Sequence, residues 1–230
     1  MSTRVERKDM HRFTKQFTDY CERTLQFDKQ VSYAYQSLPI CIIDCVYSLR
    51  TKYDPTTLRI VERYAKHYMN GDPNAPGETV SDLIAHIEEV GGPVPFATEV
   101  VENRQLSGNV LKSEICLQLA RYLHYLHIET IEDFRLFEAQ ELLEIVIRAV
   151  KGLGDAGVNY LFMLAGDPNR CKPDVHIHHC IKDACGEDVS NEECQILFSE
   201  ATEILKKKHP FLTVAKLDGI IWRKYAEPNK

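Results

Sequence analysis

The chain has 230 residues, of which 44% are hydrophobic and 27% charged, a balance suited to one large globular domain or two small lobes. No run approaches the roughly 18 apolar residues of a membrane span, and the start, MSTRVERKDMHRF, lacks the apolar stretch of a secretory signal. An intracellular, monomeric protein without membrane contact is therefore expected, with its eight cysteines as thiols, and the net charge of −6 argues against gripping nucleic acid through overall electrostatics.

Helical periodicity dominates and strand alternation is scarce, which predicts an all-α chain. RVERKDMHRFTKQFTDYCERTL reads as an amphipathic helix and LPICIIDCVYSL as a helix buried all round, with Pro39 in its first turn. A third helix runs through DPTTLRIVERYAKHYMNG, with Asp54 or Thr56 as its cap. GDPNAPGE is a loop, and Thr79 with Asp82 forms a capping box opening VSDLIAHIEEV, which stops at Gly91-Gly92-Pro93. NVLKSEICLQLARYLHYL is expected to begin a helix after Ser107-Gly108-Asn109. Thr130 with Asp133 and Ser190 with Glu193 are two further capping boxes. AQELLEIVIRAV runs into VKGLGDAG, and DAGVNYLFMLAG runs out of it. DVHIHHCIKDAC, NEECQILFSEATEILKKKH and TVAKLDGIIWRKYA complete the helical set. Two helical lobes follow, residues 36–150 as a central lobe and 1–35 with 167–230 as a second, the glycine segment 138–166 joining two helices in a hairpin.

That glycine segment carries the most chemistry. Gly152 and Gly154 permit backbone conformations closed to other residues, and the N–H groups opening the following helix form a natural phosphate site. The same glycines could simply end one helix and start another. Twenty residues beyond Gly154 stands Asp174, flanked by GDPNRCKP and placed to cap VHIHHCI, which by itself is an ordinary N-cap.

Taken together, the stretch resembles the signature of the helix-hairpin-helix DNA glycosylase superfamily, in its endonuclease-III-like branch. There an hxGhG hairpin leads through a helix and a Gly/Pro loop to a catalytic aspartate capping the next helix. Here the hairpin is VKGLGDAG and the carboxylate Asp174; GNVLKSEI resembles the family's NSKAENI, IIDCVYSLRTKYD its LLSAQATD, and the likeness spans roughly residues 36–185. The resemblance implies a two-lobed helical fold and a partner, double-stranded DNA carrying a damaged or modified base. Asp174 would then stabilise the oxocarbenium-like sugar and orient the attacking water, after the nucleotide is flipped out. It further implies phosphate contacts from Gly152, Leu153, Gly154, Lys112 and Lys151, and Arg50 as the side chain entering the gap left by the flipped base, with Tyr53, Ser48 and Asp44 near the pocket. Arg50 could equally be a surface residue at a helix end, and Asp44 a capping or tertiary hydrogen-bond acceptor. A DNA-binding protein that keeps the fold and excises nothing stands as the alternative.

The chain departs from that pattern in two ways. Bifunctional members carry an attacking lysine two residues after the second hairpin glycine, where this sequence has Ala156, so hydrolysis by water without strand cleavage is implied. Many members hold an iron–sulfur cluster near the C-terminus, but no cysteine follows Cys194 here, so no cluster and no other cofactor is expected. Cys171, Cys180, Cys185 and Cys194, with His176, His178 and His179, lack the spacing of a zinc knuckle or ribbon and read as buried thiols and ordinary histidines, a metal on the helix face shared by His176 and Cys180 standing as the alternative. Arg170, Lys172 and the KKKH run at 206–209 could add to a basic face.

Overall fold

A computed structural model describes residues 7–27, 35–51 and 56–226. Among the described residues the fold is all-α apart from one pair of two-residue strands. In chain order it comprises α1 (Arg7–Thr24), α2 (Leu38–Ser48), α3 (Leu58–Tyr68), α4 (Val80–Glu89), the single turn α5 (Pro93–Pro95) and a π-helical turn (Phe96–Val100). There follow β1 (Leu106–Ser107), β2 (Val110–Leu111), α6 (Lys112–Tyr125), α7 (Ile131–Leu136), α8 (Gln140–Arg148), α9 (Gly154–Leu164), α10 (Val175–Cys185), α11 (Asn191–Leu205) and α12 (Val214–Ala226). The chain divides into two compact units, Met1–Tyr33 with Asp167–Lys230, and Ala34–Gly166.

The first unit is built on α1, α10, α11 and α12. Phe13, Phe17 and Cys21 recur every four residues along one face of α1 and are all buried, with the Phe17 ring 5.1 Å from that of Phe198 on α11. The remaining core comes from Ile177, Cys180 and Ile181 on α10, Leu197 and Ala201 on α11, and Leu217 and Ile221 on α12. Ser190 and Glu193 close the capping box of α11. Gly186, at φ +79°, ends α10 in the left-handed conformation that terminates helices.

The second unit wraps around α2, every residue of which is buried; α3, α4, α6 and α9 pack against it. An eleven-residue helix that is apolar on all sides can only be stable at a centre. Thr79–Asp82 and Thr130–Asp133 form reciprocal capping boxes on α4 and α7. Two segments differ from expectation. Ser107-Gly108-Asn109 does not start a helix: Leu106 pairs with Leu111 and Ser107 with Val110 across a two-residue turn, with Gly108 at φ +61°. Glycine at the first central position is what such hairpin turns favour, and α6 begins only after the second strand. After Gly91-Gly92 the chain turns helical again, because Pro93 and Pro95 fall in a first turn where a missing N–H costs nothing. Of the two proposed caps of α3, Asp54 lies outside the described residues, and Thr56 is not the cap: Thr57, with a helical backbone and no side-chain cap bond, precedes Leu58.

One buried side chain ties this unit together. Lys112 opens α6 and is 1% exposed, and its Nζ donates to the carbonyls of Tyr47 (3.0 Å) and Leu49 (2.8 Å), to Thr51 Oγ1 (2.8 Å) and to Gln105 Oε1 (3.0 Å). The ammonium sits at the carbonyl end of α2, where a positive charge is favoured by the helix dipole and by carbonyls lacking intrahelical partners. Replacing it with the similarly sized Lys112→Met strands those oxygens inside the protein. Urea denaturation is expected to show a loss of roughly 3 kcal/mol; a loss within experimental error would remove this clamp from the account.

Candidate functional site

In the second unit, α8 ends at Arg148 and the chain reaches α9 through a glycine turn. Gly152 has φ +99°, and a Cβ there would lie 2.7 Å from Ile115 Cδ1 and 3.1 Å from the Ser107 carbonyl oxygen, while Ser107 Oγ donates to the Gly152 carbonyl at 2.6 Å. Gly152 is thus required by packing as well as by conformation. Gly154 has φ +67° with nothing within 4 Å, so conformation alone demands glycine and the start of α9 stands open. A third glycine, Gly157, lets α9 approach α2: a Cβ there would be 3.2 Å from Leu49 Cδ2, and the Cys45 thiol donates to the Gly157 carbonyl at 3.1 Å.

The expected phosphate contacts differ in exposure. Leu153 is 3% exposed and its N–H donates to the Val150 carbonyl at 3.3 Å, so this residue closes the turn rather than facing a ligand. Lys112 is a second correction, since its ammonium is consumed by the clamp on α2 and does not reach solvent. Lys151 is exposed, as are Gly154 and Arg50. Arg50 has φ +53°, a left-handed backbone that a non-glycine residue adopts at a cost of order 1 kcal/mol, and its neighbours Leu49 and Thr51 are both held by Lys112. Thr51 Oγ1 also meets Gln105 Oε1 at 3.0 Å, which sets the exposed Arg104 beside the same loop. Three exposed cations, Arg50, Arg104 and Lys151, therefore sit on segments stitched together around the glycine turn. No ion pair to any of them occurs among the described residues. Sequence reasoning missed Arg104, whose position emerges only through the Gln105 hydrogen bonds. Asp155 in the first turn of α9 adds an anion and pairs with Arg148, which also meets Glu144 at 2.9 Å.

The proposed pocket residues face inward. Asp44 is fully buried and accepts from Tyr35 Oη at 2.7 Å and Tyr160 Oη at 3.0 Å, the tertiary hydrogen-bond alternative for this carboxylate. Ser48 is buried and donates to the Cys45 carbonyl at 2.8 Å. Tyr53 lies outside the described residues.

Asp174 belongs to the first unit. It caps α10 from an extended backbone, with Oδ1 accepting the N–H groups of His176 (2.9 Å) and Ile177 (3.2 Å). The residue is half-buried, and Oδ2 takes no hydrogen bond among the described residues. Its approach loop is held at successive points. The Pro168 carbonyl accepts from Ala215 N (3.1 Å) and the Asn169 carbonyl from Gln195 Nε2 (2.8 Å). Cys171 N donates to Gln195 Oε1 (3.0 Å) and Lys172 N to Asp218 Oδ2 (2.8 Å). Asp174 N then donates to the Lys172 carbonyl at 2.7 Å. Burial, followed by the nearby charge of Asp174, holds the Asp218 carboxyl well above the usual carboxylate range. Asp218 and Gln195 were not singled out from sequence. The signal for Asp218 is an acid on the apolar face of α12, between Leu217 and Ile221.

The other candidates are engaged locally. Lys172 is buried and Arg170 pairs with Asp167 at 3.4 Å, while Lys206 meets Glu203 and Lys208 meets Glu22. The three histidines diverge: His176 lies edge-on to Trp222, His178 Nε2 meets Asn191 Oδ1 at 2.9 Å, and His179 lies by Tyr225. Cys171 and Cys194 place their sulfurs 3.8 Å apart in the core, and Cys180 and Cys185 are buried as well. Among the described residues no three His, Cys, Asp or Glu side chains converge as a metal site requires, and no helix is long and apolar enough to cross a membrane.

Two substitution tests follow. Gly152→Ala combines a left-handed backbone with a clash and should cost at least about 3 kcal/mol, against about 1 kcal/mol for Gly154→Ala, both read by denaturant unfolding. Equal losses would mean that the packing around Gly152 is slack. For Asp218 the raised folded-state value means that its contribution to stability is whole below about pH 4, the unfolded value, and is lost as pH rises toward the folded one. Asp218→Asn keeps an acceptor for Lys172 N–H without the charge. Its melting temperature should gain on the parent as pH is raised from about 4 to 8; parallel curves would contradict this.

No curated protein and no solved structure matches the chain. A family model matches residues 15–226, nearly the whole length, and the chain belongs to that family, the Domain of unknown function (DUF8548).

Proposed function

We propose that the protein is a monofunctional DNA N-glycosylase of the helix-hairpin-helix class, with Asp174 as the carboxylate that acts at the sugar. The observation that carries this reading is the division of labour within that side chain. One oxygen is fixed on the amide groups opening α10, which orients the carboxylate, and the other takes no hydrogen bond among the described residues. Breaking an N-glycosidic bond builds positive charge on the deoxyribose, and an oriented anion beside C1′ stabilises that charge and positions the water that attacks it. Nothing in this step calls for an amine, in keeping with Ala156 at the place where bifunctional relatives carry lysine.

Binding of the nucleic acid rests on the second unit. The uncapped start of α9 offers backbone N–H groups to a phosphate, with open space where a Cβ at Gly154 would stand. Arg50, Arg104 and Lys151, exposed on segments joined through Thr51, Gln105, Ser107 and Gly152, would supply local positive charge on an acidic chain. Arg50, held out in a left-handed conformation, is the side chain suited to fill the space of an extruded nucleotide. A DNA-binding protein that excises nothing is favoured by one observation: Asp44 and Ser48 are both turned into the core, so neither is offered to a base.

Incubation with duplexes carrying a panel of lesions, followed by alkali, separates the two readings. Excision of at least one lesion is expected, falling by a factor on the order of 10² to 10⁴ in Asp174→Asn while duplex affinity holds. Equal turnover in that variant removes Asp174 from the mechanism, and alkali-independent nicking trapped by borohydride contradicts attack by water. Each of Arg50→Ala, Arg104→Ala and Lys151→Ala should reduce the salt dependence of duplex binding by about 0.9 in the slope of log K against log salt. Unchanged slopes would place the duplex on another face.

A further inference from the structure

We propose that Asp218, on α12, positions Asp174 by holding the amide of Lys172. The inference rests on the reading of Asp174 as the acting carboxylate and names a residue that acts through it.

The connection is a short chain of hydrogen bonds. Asp218 Oδ2 accepts Lys172 N–H at 2.8 Å, the Lys172 carbonyl accepts Asp174 N–H at 2.7 Å, and Asp174 Oδ1 accepts His176 and Ile177 N–H. Pro173, between the two loop residues, fixes its own φ and leaves few ways to adjust. Displacing the Lys172 amide therefore displaces the backbone from which the Asp174 side chain springs.

The choice of an acid for this duty is costly. Asp218 is 2% exposed, and a neutral acceptor would satisfy one N–H without burying a group that can ionise beside Asp174. Gln195 does the corresponding work earlier in the loop with a neutral amide, at Asn169 and Cys171. Asp167 holds the Asn169 amide from within the loop at 2.8 Å, whereas the last anchor before Asp174 is a carboxyl brought from another helix. Loss of that anchor frees the two residues before Asp174 and leaves the loop's earlier attachments in place.

Asp218→Ala and Asp218→Asn test this by amide hydrogen exchange and by excision kinetics. In the alanine variant the Lys172 and Asp174 amides should exchange roughly tenfold faster, the equivalent of one lost hydrogen bond, with the amides within α11 unchanged. Single-turnover excision should fall by about tenfold or more at constant duplex affinity. Asparagine, which keeps the acceptor, should restore both. Unchanged exchange at Lys172 and Asp174 in the alanine variant, or no rescue by asparagine, overturns the proposal. Should the alanine variant fail to fold, the scalar coupling across the hydrogen bond between the Lys172 nitrogen and the Asp218 carboxyl carbon reads the anchor in the unaltered protein, and its absence overturns the proposal equally. A protein that shows the exchange pattern yet excises no base keeps Asp218 as the positioner of Asp174 and refutes the glycosylase reading alone.

Discussion

A helix leaves N–H groups without partners at its start and carbonyls without partners at its end, and something must satisfy them wherever water is excluded. In this protein that obligation places the residues of interest. The end of α2 is fully buried, so an ammonium has to be brought to it; Lys112 supplies one, and the loop carrying Arg50 is fixed as a result. The start of α10 is satisfied by Asp174, which orients a carboxylate as a by-product of capping. The start of α9 receives no such side-chain cap, and its glycines leave it open. One physical requirement, met by side chains at two of these helix ends and left unmet by any side chain at the third, yields a presented arginine, an oriented acid and an uncapped helix start.

Electrostatics sharpen this picture. A chain of net charge −6 repels a polyanion at long range, so the duplex binding proposed above would have to come from local geometry. Hydrogen bonds through Thr51, Gln105, Ser107 and Gly152 gather Arg50, Arg104 and Lys151 around the glycine turn, although these cations are spread over a hundred residues of sequence. Asp155 works against them at the start of α9, and its pairing with Arg148 offsets part of its charge. For the proposed duplex binding, this balance implies modest, salt-sensitive affinity rather than tight non-specific binding.

Local chemistry was legible in the sequence. The three capping boxes and the Asp174 cap involve partners three residues apart or fewer, so residue type and spacing suffice to find them. The buried character of α2 follows from its largely apolar run, which Asp44 interrupts and Ser48 ends. What could not be read depends on distance along the chain. Lys112 looks like a surface cation at a helix start, and only the arrival of Tyr47, Leu49 and Thr51, more than sixty residues earlier, turns it inward. Asp218 meets Lys172 from 46 residues away, and Gln195 meets Cys171 from 24. The hairpin at Ser107–Val110 escaped for another reason: Ser, Gly and Asn serve helix entries and strand turns alike, and pairing across the turn decided between them. The inward turn of Asp44 and Ser48 likewise depends on tertiary contacts, since a polar residue on an apolar helix can face either a pocket or a partner.

The central claim is that Asp174 stabilises positive charge on a sugar. Its most direct test is the affinity for two duplexes alike except at one abasic position, one bearing a cationic pyrrolidine in place of the sugar and the other a neutral tetrahydrofuran. A site built for an oxocarbenium-like transition state should bind the cationic duplex tighter by about 10² or more, and Asp174→Asn should erase most of the difference. Equal affinity for the two duplexes would mean that no carboxylate faces the anomeric carbon, and would leave a helical nucleic-acid-binding protein without the chemistry.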